Sequence, residues 1–342
     1  MGGQVTARTA TEVLGWSREL VTPALRAAID TLPGPVRRIA GYHFGWWDAD
    51  GRPAGAGADS GKALRPALAL LAATAVGSAP EPAVPAAVAV ELVHNFSLLH
   101  DDVMDADTTR RHRPTVWTVF GIPAAILAGD ALLALAFDVV AATGHPSGQA
   151  ALSGLADAVQ ALVAGQVSDV DFERRTDVTL AECIRMAEGK TAALVGRSCA
   201  LGAQFGNATT AQAGELHRFG DRMGLAFQLA DDLLGIWGDP SVTGKPVFSD
   251  LVSRKKSLPV VAAINAGTPE AAKLAELYHS PVALDLAHTA DLIEGCGGRE
   301  WCRTRADELV AAALGHLAAA RPAAPAEAEL TGLARLATRR DH

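Results

Sequence analysis

Apolar residues recur at three- and four-residue spacing along most of this 342-residue chain. Such spacing places apolar side chains on one face of an α-helix, whereas a half-buried strand would need strict alternation. Clusters of glycine and proline separate the periodic segments, as helix boundaries do. The predicted helices span 11–31, 62–76, 83–105, 123–143, 149–168, 179–203, 209–237 and 257–266. The sequence therefore predicts an all-α fold.

No fixed-period repeat and no polar linker divides the chain. We therefore expect one helical domain over residues 1–342, larger than a four-helix bundle. The segment 321–342 begins rich in alanine and proline and is then expected to be helical. This segment and residues 1–10 are expected to pack loosely.

The formal net charge of −8 argues against a general nucleic-acid binder, because no basic tract offsets it. The N-terminus lacks the apolar core of a signal peptide, and Asp130 and Asp138 interrupt the apolar segment 122–140. We therefore expect a soluble, cytoplasmic protein with no transmembrane segment. The four cysteines show no metal-ligand spacing, so they are expected to be reduced and mostly buried.

The segment DDVMD, residues 101–105, follows an apolar run at the end of a predicted helix. Asp101 and Asp105 are four residues apart and share a face, and His94 lies on the same stripe. Asp102 lies about 100° around the helix. Neighbouring carboxylates repel each other, and Mg²⁺ prefers carboxylates, waters and phosphate oxygens, so this cluster favours a magnesium site. The alternative is a solvated helix end.

A second predicted helix, 209–237, carries Asp231 and Asp232 near its end, and a glycine loop with Lys245 follows it. Two helices that end in aspartate pairs, each followed by basic residues, predict two walls of one site that binds a diphosphate through metal. The expected metal ligands are Asp101, Asp102, Asp105, Asp231 and Asp232.

Other groups suited to phosphate binding lie near the first aspartate motif or in other predicted helices. A guanidinium binds phosphate oxygens with two donors at once. The candidates are Lys62, Arg65, Arg110, Arg111, Lys190 and Thr191. Each alone is most simply a surface group. Together with two aspartate pairs they predict a receptor for two diphosphates, one held by Mg²⁺ and one by Arg and Lys alone.

With these motifs in this order, the chain resembles the trans-isoprenyl diphosphate synthases, or polyprenyl synthetase family, from about residue 58 to about 265. DDVMD (101–105) and DDLLG (231–235) resemble its two aspartate-rich motifs, and GKALRP (61–66) resembles its first substrate-binding segment. The resemblance implies a large helical bundle around a central active-site cavity, three Mg²⁺ ions per site and a homodimer. It also implies head-to-tail condensation of isopentenyl diphosphate with dimethylallyl, geranyl or farnesyl diphosphate.

The resemblance also implies roles for single residues. Contacts to isopentenyl diphosphate are expected from Lys62, Arg65, His94 and Arg111. Contacts to the allylic diphosphate are expected from Arg110, Lys190, Thr191, Gln228 and Lys245, with Lys255 as a further basic position. The expected catalytic residues are Asp101, Asp105, Arg110, Lys190 and Asp231.

Three positions depart from the family pattern. Ala63 stands where the family usually has arginine, although the anchor positions beside it are kept. His112-Arg113 replaces a Gly-Lys step and adds positive charge. Gly235 stands in place of the last aspartate of the second motif, which would lie one turn from Asp231 on the same face. Asp231 is therefore the expected direct ligand of that motif.

Phe96 and Ser97 lie five and four residues before Asp101, so they project about 6–8 Å further down the helix. In the family that the chain resembles, residues at that depth limit the length of the product. A bulky Phe96 beside a small Ser97 resembles the pattern of geranylgeranyl (C20) synthases, with farnesyl (C15) second. The alternative is that Phe96 is an ordinary core residue.

Two other functions fit part of the pattern. A terpene cyclase-like lyase would share the aspartate-rich metal sites but needs only one diphosphate, so it leaves the second set of basic residues unexplained. A catalytically weak partner subunit of a prenyl synthase is favoured only by Gly235.

Overall fold

A computed structural model of the chain describes residues 7–54, 63–240, 246–280 and 282–338. Lys62 and Lys245, both expected to bind substrate, lie outside these residues. The chain divides into two compact units. Unit 1 comprises Met1–Val159, Arg197–His217 and Leu317–Leu330, and unit 2 comprises Gln160–Gly196, Arg218–His316 and Thr331–His342. The expectation of a single domain stays a prediction.

Helices make up most of the described residues and the strands only a few, which confirms the predicted all-α fold. Unit 1 contains α1 (Ala10–Asp30), α2 (Gly34–His43), α3 (Leu64–Ala75), α4 (Val84–Met104), α5 (Val116–Phe120) and α6 (Ile122–Ala141). Unit 2 contains α8 (Leu180–Ala187), a π-helical turn (Glu188–Ala192), α11 (Ser249–Val252), α12 (Leu258–Ile264), α13 (Pro269–His279) and α14 (Leu286–Gly295). Helices with residues in both units are α7 (Gly148–Phe172), α9 (Ala193–Phe205), α10 (Thr210–Trp237), α15 (Gly298–Ala319) and α16 (Ala324–Thr338).

Small residues set the spacing of helices in unit 1. Ala67, Ala69 and Ala73 of α3 are fully buried. A Cβ on Gly202 of α9 would lie 1.9 Å from the carbonyl oxygen of Ala69, so only glycine allows this approach. Close contact between backbones explains how a chain rich in alanine and poor in aromatic residues fills its core.

The segment 321–342, expected to pack loosely, contains a well-anchored helix. In unit 1, Leu330 of α16 is fully buried and Glu329 is 4% exposed. Arg8 Nη2 lies 2.8 Å from Glu329 Oε2, and the Ala323 N–H donates to the Ala75 carbonyl at 2.8 Å. Composition alone concealed this apolar face, because alanine and proline dominate the start of the segment.

A short hairpin follows α4 and positions two of the arginines. Strand β1 (Thr109–Arg110) pairs antiparallel with β2 (Arg113–Pro114). Between them, Arg111 and His112 have φ values of +50° and +59°. A two-residue hairpin turn needs this left-handed conformation, which usually selects glycine or asparagine.

Arg113 ties this hairpin to the segment after α2. Its Nη1 donates to the Tyr42 carbonyl at 2.9 Å, and its Nη2 donates to the Trp47 carbonyl at 3.0 Å. The Tyr42 hydroxyl in turn donates to the Pro114 carbonyl at 2.8 Å. The charge that Arg113 adds to the motif therefore serves an internal structural contact.

Among the described residues, three helices are long and apolar enough to cross a membrane by length and composition alone: Glu81–Met104, Ile122–Ala141 and Gly148–Phe172. This finding concerns length and composition alone, so the expectation of a protein without a transmembrane segment stays a prediction. Asp130 and Asp138 do not exclude α6, because its apolar window still reaches a mean hydropathy of 2.0. The share of each window buried inside the structure is 67%, 39% and 44%, in chain order.

The four cysteines are free thiols, and three of them are buried, as predicted. Burial raises the pKa of the Cys183 thiol, and the charges of Asp232 and Asp169 raise it further. Cys183 is therefore a protonated core residue of unit 2 rather than a nucleophile.

Candidate active site

The first aspartate motif lies at the C-terminal end of α4, in unit 1. Asp105 is the capping residue, and its N–H donates to the Asp101 carbonyl at 2.8 Å. Asp101 and Asp105 are therefore one helical turn apart on the same face, as predicted. Asp101 is half-buried and Asp105 is exposed.

Asp102 is buried, and only one of its carboxylate oxygens is bonded. Arg110 Nε donates to Oδ1 at 2.6 Å, whereas the buried Oδ2 has no hydrogen-bond partner among the described residues. Burial raises the pKa of Asp102 to about 6, although the charge of Arg110 lowers it. An unbonded buried oxygen is costly, so this acceptor suits a cation or water bound to one. The carboxylates of this motif therefore fit Mg²⁺.

Basic groups of unit 1 gather beside the motif. His43, Asp102, Arg110 and Arg111 help to line one small open cleft. Arg65 is half-buried, and its buried Nε has no hydrogen-bond partner among the described residues. Burial lowers the pKa of Arg65 to about 10, and the charge of Glu91 opposes this. A buried guanidinium N–H that lacks an acceptor suits an anion.

A buried polar network on α4 was not predicted. His43 Nε2 lies 3.0 Å from Asn95 Oδ1, and Asn95 Nδ2 donates to Glu91 Oε1 at 2.9 Å. Asn95 is fully buried and Glu91 nearly so. The charges of Arg65 and Arg111 act on Glu91, so the network lies beside both predicted anion-binding arginines. The sequence feature that could have indicated this network is the four-residue spacing of Glu91 and Asn95, which puts both polar side chains on one face of an otherwise apolar helix.

This network leads to a prediction about pH. Burial, followed by the charges of Arg111 and Arg110, lowers the pKa of His43 from 6.5 to about 3, and burial lowers that of His94 well below 6.5. Below pH 6.5 the unfolded chain binds protons at these rings, whereas the folded chain does not, so stability rises with pH in this window. Between pH 6.5 and 5 we expect the His43 ring to account for a loss of up to about 2 kcal/mol in the free energy of unfolding, and the His94 ring to act in the same direction.

Urea unfolding of the wild type and of His43→Gln at pH 5, 6 and 7 measures this dependence. The variant should lose stability less steeply on acidification than the wild type. Parallel curves for the wild type and His43→Gln would contradict the prediction.

Phe96 and Ser97 take different positions on α4. The Phe96 ring is buried and meets the His100 ring edge-on, with 4.9 Å between centroids. His100 Nε2 lies 3.0 Å from the Ile126 carbonyl oxygen. The same atom lies against Gly129, because a Cβ built on that glycine would be only 2.3 Å from it. Ser97 Oγ donates back to the His94 carbonyl at 2.8 Å. Phe96 therefore packs on a histidine that α6 holds in place.

In unit 2, Lys190 and Thr191 lie in the π-helical turn that follows α8. A Cβ on Gly165 would lie 2.3 Å from the Lys190 backbone nitrogen, and one on Gly189 would lie 2.6 Å from the Ala161 carbonyl oxygen. The two glycines therefore allow α7 and this turn to touch through their backbones. Single π turns inside helices occur frequently at functional sites.

The side chain of Lys190 has a partner that was assigned no role from the sequence. Lys190 Nζ donates to Asp169 Oδ2 at 2.6 Å, and both side chains are mostly buried. Asp169 ends the segment GQVSD (165–169), and its position near the end of α7 gave no indication of this contact.

Gln228, Thr191 and Asp232 form a chain of hydrogen bonds, so the structure brings these predicted residues together. Thr191 Oγ1 donates to Gln228 Oε1 at 2.6 Å, and Gln228 Nε2 donates to Asp232 Oδ1 at 2.7 Å. The Leu258 N–H donates to the other oxygen of Asp232 at 2.9 Å. Burial raises the pKa of Asp232 to about 7, against the charge of Lys255. Both oxygens of Asp232 are thus bonded within the protein.

Lys255 lies among several carboxylates of unit 2. Burial lowers its pKa, but nearby negative charges outweigh burial and raise the pKa above its ordinary value. These charges belong to Asp232, Asp250, Asp169 and Asp231. Asp231 itself is exposed near the end of α10. The first aspartate motif lies in unit 1 and the second in unit 2, and the expectation that both act on one diphosphate stays a prediction.

Known proteins resemble this chain over most of its length. It is 50% identical over 309 residues to a (2E,6E)-farnesyl diphosphate synthase of Mycobacterium tuberculosis H37Rv, covering 89% of this chain and 85% of that protein. It is 46% identical over 343 residues to a geranylgeranyl diphosphate synthase of the same organism, covering 99% and 96%.

Solved structures of polyprenyl and geranylgeranyl synthases also resemble this chain. A polyprenyl synthetase from Streptomyces coelicolor A3(2) has a TM-score of 0.91 and 46% identity, over 96% of this chain and 99% of that one. A geranylgeranyl pyrophosphate synthase from Corynebacterium glutamicum, complexed with isoprenyl diphosphate and magnesium, has a TM-score of 0.80 and 26% identity, over 97% and 100%. The polyprenyl synthetase family model matches residues 56–291. Given this match and these relatives, the chain belongs to the polyprenyl synthetase family and is a trans-prenyltransferase.

Proposed function

We propose that this short-chain trans-prenyltransferase condenses isopentenyl diphosphate head to tail with an allylic diphosphate. One observation in unit 1 carries the proposal: Asp102 has a buried carboxylate oxygen without a donor, and Arg65 has a buried N–H without an acceptor among the described residues. The first suits a diphosphate held through metal, and the second suits a diphosphate held without it. A reaction between two diphosphates needs both.

Asp101, Asp102, Asp105 and Asp231 are the residues that we expect to hold Mg²⁺, with three ions per site when substrate is bound. The magnesium in the related Corynebacterium glutamicum structure supports this choice of metal. When bound, Mg²⁺ withdraws charge from the departing diphosphate. We expect Asp232 to position Gln228 and the start of α12 rather than to bind metal, because both of its oxygens are already bonded.

The proposed reaction divides the basic residues between two roles. Arg110, Lys190 and Lys245 stabilise the negative charge that develops on the leaving diphosphate as the allylic C–O bond breaks. Isopentenyl diphosphate is held by Lys62, Arg65, His94 and Arg111. Its double bond attacks the allylic cation and forms the new C–C bond, and a proton then passes to the released diphosphate. Apolar residues of α4 keep water from the cation.

For the product we propose geranylgeranyl diphosphate (C20), with farnesyl diphosphate (C15) second, on the pairing of a bulky Phe96 with a small Ser97. We also propose a homodimer in the cytoplasm. Most of the apolar window in Glu81–Met104 packs against other helices, which supports a soluble protein, whereas the windows of α6 and α7 are less than half buried.

A product assay separates this function from its two rivals. Purified protein is incubated with Mg²⁺, radiolabelled isopentenyl diphosphate and dimethylallyl, geranyl or farnesyl diphosphate, and the products are separated by chain length. We expect elongated diphosphates, because unit 1 offers groups for a second diphosphate. A released hydrocarbon would instead identify a lyase. Substrate binding without turnover would identify a partner subunit, which is the function that Gly235 alone favours.

A further inference from the structure

The second aspartate motif ends in Gly235, and another carboxylate fills the space that a side chain there would take. A Cβ built on Gly235 would lie 2.4 Å from both Cγ and Oδ2 of Asp250 and 2.6 Å from its Oδ1. Real Cβ atoms do not approach other atoms so closely. The carboxylate of Asp250 therefore lies where the side chain of an aspartate at position 235 would project.

Contacts within unit 2 hold Asp250 in this place. The Phe248 N–H donates to the Ile236 carbonyl at 3.2 Å, and Ser249 Oγ donates to the Gly235 carbonyl at 3.2 Å. These bonds dock the start of α11 on the last turn of α10. The placement of the Asp250 side chain thus follows from the backbone on both sides of the contact.

Asp250 also belongs to the charge group of the second motif. After burial, which lowers the pKa of Lys255, the charges of Asp250 and Asp231 both raise it. The ammonium group of Lys255 therefore interacts electrostatically with both Asp231 and Asp250.

We propose that Asp250 supplies the metal-binding carboxylate that the second motif lacks at position 235. A residue at 235 would share a face of α10 with Asp231, and α11 brings the Asp250 carboxylate to that face. Mg²⁺ is usually held by one or two carboxylates together with waters and phosphate oxygens of the substrate. Gly235 is the necessary counterpart, because any side chain at 235 would displace the Asp250 carboxylate. This inference rests on the proposed function.

Calorimetric titration of Mg²⁺ in the presence of inorganic pyrophosphate tests the assignment without turnover. We expect Asp250→Asn to weaken Mg²⁺ binding by about tenfold or more, and Gly235→Ala to weaken it too, because the added methyl group pushes Asp250 aside. The double variant Gly235→Asp with Asp250→Ala returns the carboxylate to α10 and should recover affinity to within about threefold of wild type. Asp307→Asn, an exposed change on α15, is the matched control and should change nothing.

Wild-type Mg²⁺ affinity in folded Asp250→Asn would overturn the inference, as would a folded double variant that binds no better than Asp250→Ala. Thermal unfolding of each variant shows whether it has folded. If the double variant does not fold, Asp250→Asn and Gly235→Ala decide the question. If the wild type elongates allylic diphosphates but Asp250→Asn binds Mg²⁺ as tightly as the wild type, only this inference is wrong. If the wild type elongates no allylic diphosphate, the proposed function is wrong.

Discussion

Replacement of Asp101 by alanine is expected to abolish prenyl transfer at every Mg²⁺ concentration. Asp101 lies one turn from Asp105 at the end of α4, next to Asp102 and its unbonded oxygen. Under the proposed function, its removal weakens the binding of the Mg²⁺ that would neutralise the departing diphosphate, and the loss of a single charge-stabilising contact slows catalysis by about 10²–10³-fold. Because a metal-bridging ligand affects both the ion and the diphosphate, we expect a fall in kcat at or above the upper end of that range.

Steady-state turnover across a Mg²⁺ series measures this effect. Asp157→Ala, which removes an exposed carboxylate of α7 in the same unit, is the matched control and should keep wild-type turnover. Asp101→Asn keeps the size of the side chain and should be nearly as inactive as Asp101→Ala, because the amide lacks the charge. A near-normal kcat in Asp101→Ala would show that the metal assignment is wrong.

Replacement of Phe96 by alanine should lengthen the product by at least one five-carbon unit. The Phe96 ring lies about 7.5 Å along α4 from the first aspartate, at 1.5 Å per residue, and packs on His100. If the growing chain descends along this face, removal of the ring opens space for it. Chromatography of the radiolabelled products against standards of known length reads the outcome directly.

Phe205→Ala provides the control for this experiment. Phe205 is also a buried ring in contact with a histidine, His145, at 4.7 Å between centroids, but it lies on α9. Both variants are expected to lose about 3–5 kcal/mol of stability, so their unfolding is measured before their products. Only Phe96→Ala should change product length. An unchanged length in a folded Phe96→Ala would show that another residue sets the limit.

Features governed by local spacing were predictable from the sequence. The helical period predicted most of the described helices to within a few residues, because each residue's neighbours on a helix face are three and four positions away. The same four-residue spacing predicted correctly that Asp101 and Asp105 share one face of α4. The helices α2, α5, α11, α13, α14 and α15 were not specified, because they are short or because charged residues and alanine weaken their apolar stripes.

Features that depend on contacts between elements were not predictable. Asp250 lies fifteen positions after Gly235, and only the docking of α11 on α10 brings its carboxylate to that glycine. Lys190 meets Asp169 because two glycines let α7 approach the turn after α8. Arg113, interpreted from the sequence as added charge, is a tie to the segment after α2. Residue spacing within one helix does not predict these contacts, because each of them joins two different elements.

The π-helical turn Glu188–Ala192 limits the positions at which this chain can be joined to a related enzyme in a chimera. Such a turn accommodates one residue more than an α-helical turn, and deletion of one residue rotates everything beyond it by about 100°. In a chimera whose second parent lacks that extra residue, the junction would carry Lys190 and Thr191 to a different side of the helix. Recombination points for this chain therefore belong before Leu180 or after Phe205, outside the continuous helical segment.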